Sequence, residues 1–208
     1  MKIKIVVPED FSDVTVRQYK AMLEAWDNVT DTREAALDAV CALCDLDRKV
    51  VNGADWGDIE RIIGMLTWLI EEPDPANLDL PLQKRFKFEG VEYGFIPDWT
   101  KLTVGEFADL ESYCSQGAYK NLEKILAVVY RPIVETKGDT YDIDKYSPHP
   151  SKAEKMLGLT MDIAVGAMLF FYHIGKILTE DTQRFSQVKV GVATKYTLNG
   201  GGTAFSMD

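Results

Sequence analysis

The feature that most constrains how this chain folds is a pattern it carries twice: an extended segment checked by proline, then a hydroxyl residue that opens a helix. The clearer copy is Phe95–Leu110, FIPDWTKLTVGEFADL, and the other is Val6–Leu23, VVPEDFSDVTVRQYKAML. Thr103 and Glu106 in one, and Thr15 and Gln18 in the other, have the spacing of a capping box. In such a box the hydroxyl accepts an orphan amide of the first turn, and the Glu or Gln side chain reaches back to the cap's own N–H. Leu102 and Val14 precede the caps at the staple position, with Phe107 and Tyr19 placed to receive them. Upstream, each copy also has a proline, an acidic residue, an aromatic (Trp99, Phe11) and a Ser or Thr. Two readings stand: a duplicated strand–helix–helix–helix unit, or two helices that each needed a cap.

The rest of the chain divides around these copies. Residues Lys2 to Val7 alternate like a strand with one wet face. Helices follow from about Val16 to Trp26, from Asp31 or Thr32 with Ala36, Val40, Leu43 and Cys44 on one face, and from an Asp55 cap to about Glu71. Val51-Asn52-Gly53 reads as a turn, and Glu71 to Pro81 as a linker. In RFKFEGVEYGFI, a turn at Glu89-Gly90 sets Phe88 against Val91, Phe86 against Tyr93 and Lys87 against Glu92, so one register satisfies both faces. The helix from Thr103 runs to about Cys114, and another from about Ala118 to Tyr130 buries Leu122, Ile125, Leu126 and Val129. Pro132 to Pro150 is irregular or a second hairpin. Ser151 and Glu154 have capping-box spacing ahead of a long helical region reaching about Leu178, bent at Gly158 or Gly166. The fold class is α+β and predominantly helical, with helices on a small antiparallel sheet. Its parts are 1–75, a strand plus three helices; 76–180, a hairpin plus three helices; and a tail, 181–208. The first two are either separate or one compact domain.

Composition narrows function. A net charge of −10 counts against nucleic-acid backbones and anionic membrane surfaces as partners. Three cysteines are too few for a disulfide scaffold and fit a reducing compartment. The longest apolar tract, Ile163 to Tyr172, is about half a bilayer span.

Catalytic and ligand signatures do not assemble. Cys41 and Cys44 form a CxxC and could be drawn with Cys114 and His149 or His173 as a zinc site, but both lie within an amphipathic helix. Core packing as small hydrophobes is the preferred reading. His173 sits among aromatics with no nucleophile signature, and Asp162 reads as a polar helix edge or a buried hydrogen bond. Asp139, Asp142 and Asp144 lack the glycine and glutamate of a calcium loop. Gly200–Gly202 has no phosphate-loop context. No motif calls for a cofactor or a metal, and the chain reads as non-enzymatic.

Three stretches carry a family likeness: YGFIPDWTKLTVGEFADLE, NLEKILAVVYRPIVETKGDTYDIDKY and MDIAVGAMLFFYHIGKIL. Tyr93–Pro97, Gly105-Glu106-Phe107-x-Asp109-Leu110, Tyr130–Ile133 and the Phe170-Phe171 helix resemble small structural and tail-assembly proteins of tailed bacteriophages, some of them tail assembly chaperones. The likeness covers mainly residues 86 to 178. It implies a non-enzymatic protein that shelters the helical tape-measure protein in the host cytoplasm until tail-tube subunits replace it. The competing implication is a permanent virion part such as a head–tail connector, ring or internal protein. Partners are then the tape-measure protein, the tail tube, other virion proteins or a second copy.

Beyond Asp181 helical periodicity stops, yet Val188, Val190 and Val192 alternate with Lys189 and Gly191, and Tyr196 and Phe205 follow. That is the pattern of a strand able to add to a sheet edge, and these five residues are the candidate partner-binding site. The alternative is a strand packed on its own domain. Ending the chain after Leu178 should leave the melting temperature unchanged and weaken co-purification with the partner. A collapsed melt would assign the strand to the chain's own fold.

Overall fold

A computed structural model describes residues 5–27, 31–70 and 78–172, and the fold is α+β, predominantly helical, with a four-stranded antiparallel sheet. The chain divides into a unit Met1–Leu169 and a second unit from Phe170. The boundary expected near residue 75 lies outside the described residues, as does the tail 181–208. Among the described residues, no helix is long and apolar enough to cross a membrane.

The first part is helical: α1 Val16–Asp27, α2 Thr32–Leu43, α3 Arg48–Asn52 and α4 Trp56–Ile70. Residues 5–9 are not a strand. Pro8 lies within this stretch, and Asp10 caps a short 3-10 turn at Phe11–Asp13 by accepting the Ser12 amide at 2.7 Å. The Phe11 ring meets Trp68 of α4 edge-on at 5.2 Å, which anchors the turn on the helices. The α2 face is broader than its periodicity suggests: Ala35, Leu37, Ala39, Val40 and Leu43 are buried, whereas Ala36 and Cys44 are only half-buried. The apparent turn at Val51–Gly53 is the end of a helix. Asp47 caps α3 by accepting the Lys49 amide at 2.7 Å, and Arg48 reaches back to Glu34 and Asp38 of α2.

The sheet is built from β1 Arg85–Phe88, β2 Val91–Phe95, β3 Tyr130–Lys137 and β4 Thr140–Ile143, in that spatial order. The first hairpin has the expected register, Phe86 opposite Tyr93, Lys87 opposite Glu92 and Phe88 opposite Val91. Glu89 (φ 47°) and Gly90 (φ 77°) both take positive φ, as a two-residue turn matching the strand twist requires. The segment after Pro132 is the second hairpin, with a register shift between Ile133 and Glu135. One face collects Phe86, Tyr93, Phe95 and Tyr130, whose rings stack or meet edge to face 4.9–5.7 Å apart.

Between the hairpins lie α5, Val104–Ser115, and α6, Leu122–Val129; after them come α7, Pro150–Met156, and α8, which opens at residue 161. The predicted buried face of α6 is correct, with Leu122, Ile125, Leu126 and Val129 fully buried. The predicted cap of α7 is not. His149 Nδ1 accepts the Ser151 amide at 3.2 Å with Pro150 at the first helical position, and Glu154 is turned to Arg17 at 2.8 Å. The long helix is interrupted outright at 157–160 rather than bent, and Gly166 lies inside α8.

The interruption serves α1. Val16 N–H donates to Leu159 O at 2.8 Å and Arg17 N–H to Leu157 O at 2.9 Å, while Met161 N–H donates to Val14 O at 2.8 Å. The orphan amides of one helix start are thus satisfied by carbonyls released where another helix ends.

The two sequence copies share their caps and not their surroundings. Thr15 N–H donates to Gln18 Oε1 at 2.9 Å and Gln18 N–H to Thr15 Oγ1 at 3.2 Å, a complete box like that of Thr103 and Glu106. But Tyr19 is 3% exposed and Phe107 is 60% exposed. Among the described residues the first part has no hairpin to match β1–β2, so the likeness ends at the helix start.

Gly94 is where the sheet tolerates no side chain. A Cβ there would stand 2.3 Å from Tyr141 Cε2, and the Tyr141 hydroxyl donates to Phe95 O at 2.7 Å. Gly94→Ala should therefore cost about 1–3 kcal/mol in urea unfolding. The loss should shrink in a Tyr141→Ala background, because the clash has gone.

Candidate functional site

The most concentrated polar chemistry of the described residues lies where α5 meets β3. Thr103 is extended, as a cap must be, and its N–H and Oγ1 both donate to Glu106 Oε2 at 2.7 Å. Glu106 N–H returns to Thr103 Oγ1 at 3.3 Å. The second carboxylate oxygen is left over, and Arg131 Nη2 takes it at 2.5 Å. Glu106 is 4% exposed and Arg131 is 8% exposed, so this is a buried ion pair.

The strand explains how Arg131 gets there. α6 ends at Val129 and β3 starts at once, so Tyr130 turns into the aromatic face and Arg131 to the opposite one. Its cross-strand neighbour is Gly94, over which the Tyr141 ring and Ile133 pack. The guanidinium also lies 5.9 Å from the Tyr146 ring, and its Nε has no hydrogen-bond partner.

Tyr146 extends the network by donating its hydroxyl to Asp109 Oδ2. Burial, then the hydrogen bond to Asp109 and the negative charge nearby, push the Tyr146 phenol well above its ordinary value. Tyr113 is raised by burial and by Asp109. Both phenols are neutral at physiological pH. For Glu106, burial raises the pKa, but the Thr103 hydrogen bonds and the Arg131 charge outweigh it and hold the carboxyl below its ordinary 4.5.

Beside this network runs an open cleft of about 260 Å³, with Tyr113, Lys124, Val128, Tyr146, His149 and Lys152 among its lining residues. Lys124 is engaged with Asn121 Oδ1 at 2.8 Å and lies over the Tyr113 ring. His149 Nδ1 is within 2.7 Å of Ser151 Oγ, a serine–histidine contact that invites a catalytic reading. The same nitrogen accepts the Ser151 amide, so the contact is a helix cap between residues two apart.

The other sequence candidates are dispersed. Cys41 lies within α2 and Cys44 at its C-terminal cap, while Cys114 is exposed on α5. Burial pushes the Cys44 thiol up to about 11, with a smaller push from Cys41, and raises Cys41 and Cys114 as well. These thiols are therefore protonated and poorly nucleophilic near neutral pH. Among the described residues no group of three His, Cys, Asp or Glu side chains could hold a metal ion. Asp162 accepts from Gln83 Nε2 at 2.7 Å and from Thr160 at the start of α8, a part-buried hydrogen-bonding role. Asp139 lies in the β3–β4 turn and Asp142 is exposed on β4. His173 and the candidate partner-binding residues Val188, Val190, Val192, Tyr196 and Phe205 lie outside the described residues.

Sequence reasoning finds the Thr103–Glu106 box and misses Arg131, which is 25 residues from Glu106 and carries no local signal. Comparison with family models, curated proteins and solved structures yields no match.

The network separates cap from ion pair. Glu106→Gln preserves the box, as Gln18 does at α1, but leaves Arg131 buried and unpaired. It should cost about 3 kcal/mol or more, whereas Thr103→Ala should cost about 1 kcal/mol. Because the folded carboxyl titrates below its ordinary 4.5, its contribution is present above that pH and is lost as pH falls through the depressed value. Urea unfolding against pH should therefore show a loss below about 4.5 that is flattened in Glu106→Gln.

Proposed function

We propose that the protein is a non-enzymatic assembly protein of a tailed bacteriophage, acting as a tail assembly chaperone that shelters the tape-measure protein in the host cytoplasm. One observation carries the reading. The separate motifs that resemble the phage proteins meet in space. Tyr93, Phe95 and Ile96 of the first are buried in and beside the sheet, and Glu106 of the second pairs with Arg131 of the third. Motifs joined by a buried ion pair are the parts of one architecture, so the resemblance rests on one packed region and not on scattered segments. The net charge of −10 fits a partner with basic amphipathic helices and high working solubility.

Two measurements test it together. Co-expressed with the tape-measure protein of its phage, the protein should co-purify with it and keep it soluble. Mass spectrometry of purified virions should find it nearly absent. Stoichiometric amounts in virions would replace the chaperone reading with that of a permanent structural part.

A further inference from the structure

The cleft beside the Glu106–Arg131 network has a charge that runs against that of the chain. The sequence has 33 acidic and 23 basic residues, yet among the described residues no Asp or Glu lines this cleft. Lys124 of α6, Lys152 of α7 and the His149 cap do. Lys124 shares one face of α6 with Ala127 and Val128, three and four residues on, so a cation and an apolar floor come from the same helix face. Lys124 is held by the Asn121 amide oxygen at 2.8 Å, and neither lysine has an ion-pair partner among the described residues. The acids of the adjoining network are already engaged, Glu106 by Arg131 and Asp109 by the Tyr146 hydroxyl. His149 Nδ1 accepts the Ser151 amide, so in the neutral ring Nε2 carries the proton and is a donor.

We propose that this cleft binds a small phosphate monoester, its phosphate held by Lys124, Lys152 and His149 and its apolar or aromatic body set against Tyr113, Pro148 and Pro150. Two point-charge ammoniums and one ring N–H suit the double charge and three terminal oxygens of a phosphate. A carboxylate is better matched by a planar arginine fork, and the guanidinium of the neighbouring network is committed to Glu106. The cleft measures about 260 Å³, just under the roughly 300–1,000 Å³ of sites for drug-sized ligands, so its ligand is compact. A single phosphate also accords with the net charge of −10, which opposes a nucleic-acid backbone but not one dianion at a locally cationic cleft. The proposal goes beyond the assembly role and does not rest on it.

The test is an amide NMR titration of the full chain in phosphate-free buffer of low ionic strength near neutral pH, where screening is least. Phenyl phosphate, taken to about 20 mM, should shift the amides of 146–153 and those around Lys124, saturating in the millimolar range expected of so small a ligand. Inorganic phosphate lacks the body and benzoate the second charge, so each should bind at least about fivefold more weakly. Lys124→Gln and Lys152→Gln should each weaken phenyl phosphate binding at least about fivefold. Lys49→Gln, at an exposed lysine of α3 outside the cleft, makes the same charge change and should leave the affinity as it was. Lys152 has no hydrogen bond or ion pair among the described residues, so its variant should keep the melting temperature and decides the matter if Lys124→Gln fails to fold. Adenosine monophosphate identifies the source: binding at least as tight as phenyl phosphate assigns the cleft to nucleotides, and exclusion assigns it to compact aryl or alkyl phosphates. No saturable shift at the cleft amides, equal affinity for benzoate or inorganic phosphate, or unchanged binding by Lys152→Gln would overturn the proposal. So would equal weakening by Lys49→Gln, since net charge alone would then explain the binding.

Discussion

A helix start that borrows the carbonyls of a helix end is the interaction on which the first unit depends. Every helix leaves amides unsatisfied at its beginning and carbonyls at its finish, and burying them unpaired is costly. At α1 the side chains of Thr15 and Gln18 complete a box, but Val16 and Arg17 still need acceptors in a place where Val14 and Val16 are fully buried. Leu157 and Leu159 supply them because the helical region breaks there, and Val14 O takes the Met161 amide in return. A continuous helix through 157–160 would leave the Val16 and Arg17 amides without these acceptors. The interruption is therefore part of the fold's hydrogen-bond accounting and not a local weakness.

The same join brings the start of α1 against the 157–161 segment. α1 continues from it towards α6, where Lys20 pairs with Glu123 and Lys120 with Asp27 at 2.6 Å, and the Tyr19 and Tyr119 rings lie 5.9 Å apart. Lys20 and Glu123 are both well shielded, so this contact excludes water and carries a larger electrostatic weight than the exposed Arg17–Glu154 pair. The helical first part and the sheet-bearing second part are thereby one packed unit.

At the other box, one carboxylate holds two structures at once. One oxygen of Glu106 caps α5 and the other fixes Arg131 on β3, so helix start and strand are registered by a single side chain. That double engagement sets which face of α5 turns inward, and so which apolar residues are left outside. Phe107 shows the consequence: the residue that matches buried Tyr19 in sequence is exposed, because Glu106 ties its helix to Arg131 of β3 whereas Gln18 ties α1 to Leu43 O of α2 at 3.3 Å.

What the chain settled alone was local chemistry. The caps at Thr15 and Thr103, the register of the first hairpin and the buried face of α6 all rest on contacts within a few residues, where side-chain type and spacing decide the outcome. The tertiary structure decided everything that needed a distant partner. It set the break at 157–160, the strand beginning at Tyr130, the choice of His149 over Ser151 as a cap with Glu154 given to Arg17, and the pairing of Glu106 with Arg131. Periodicity cannot mark these positions. A helix stops or a carboxylate turns according to which unsatisfied group from elsewhere in the chain lies beside it, and that neighbour exists only once the chain has folded.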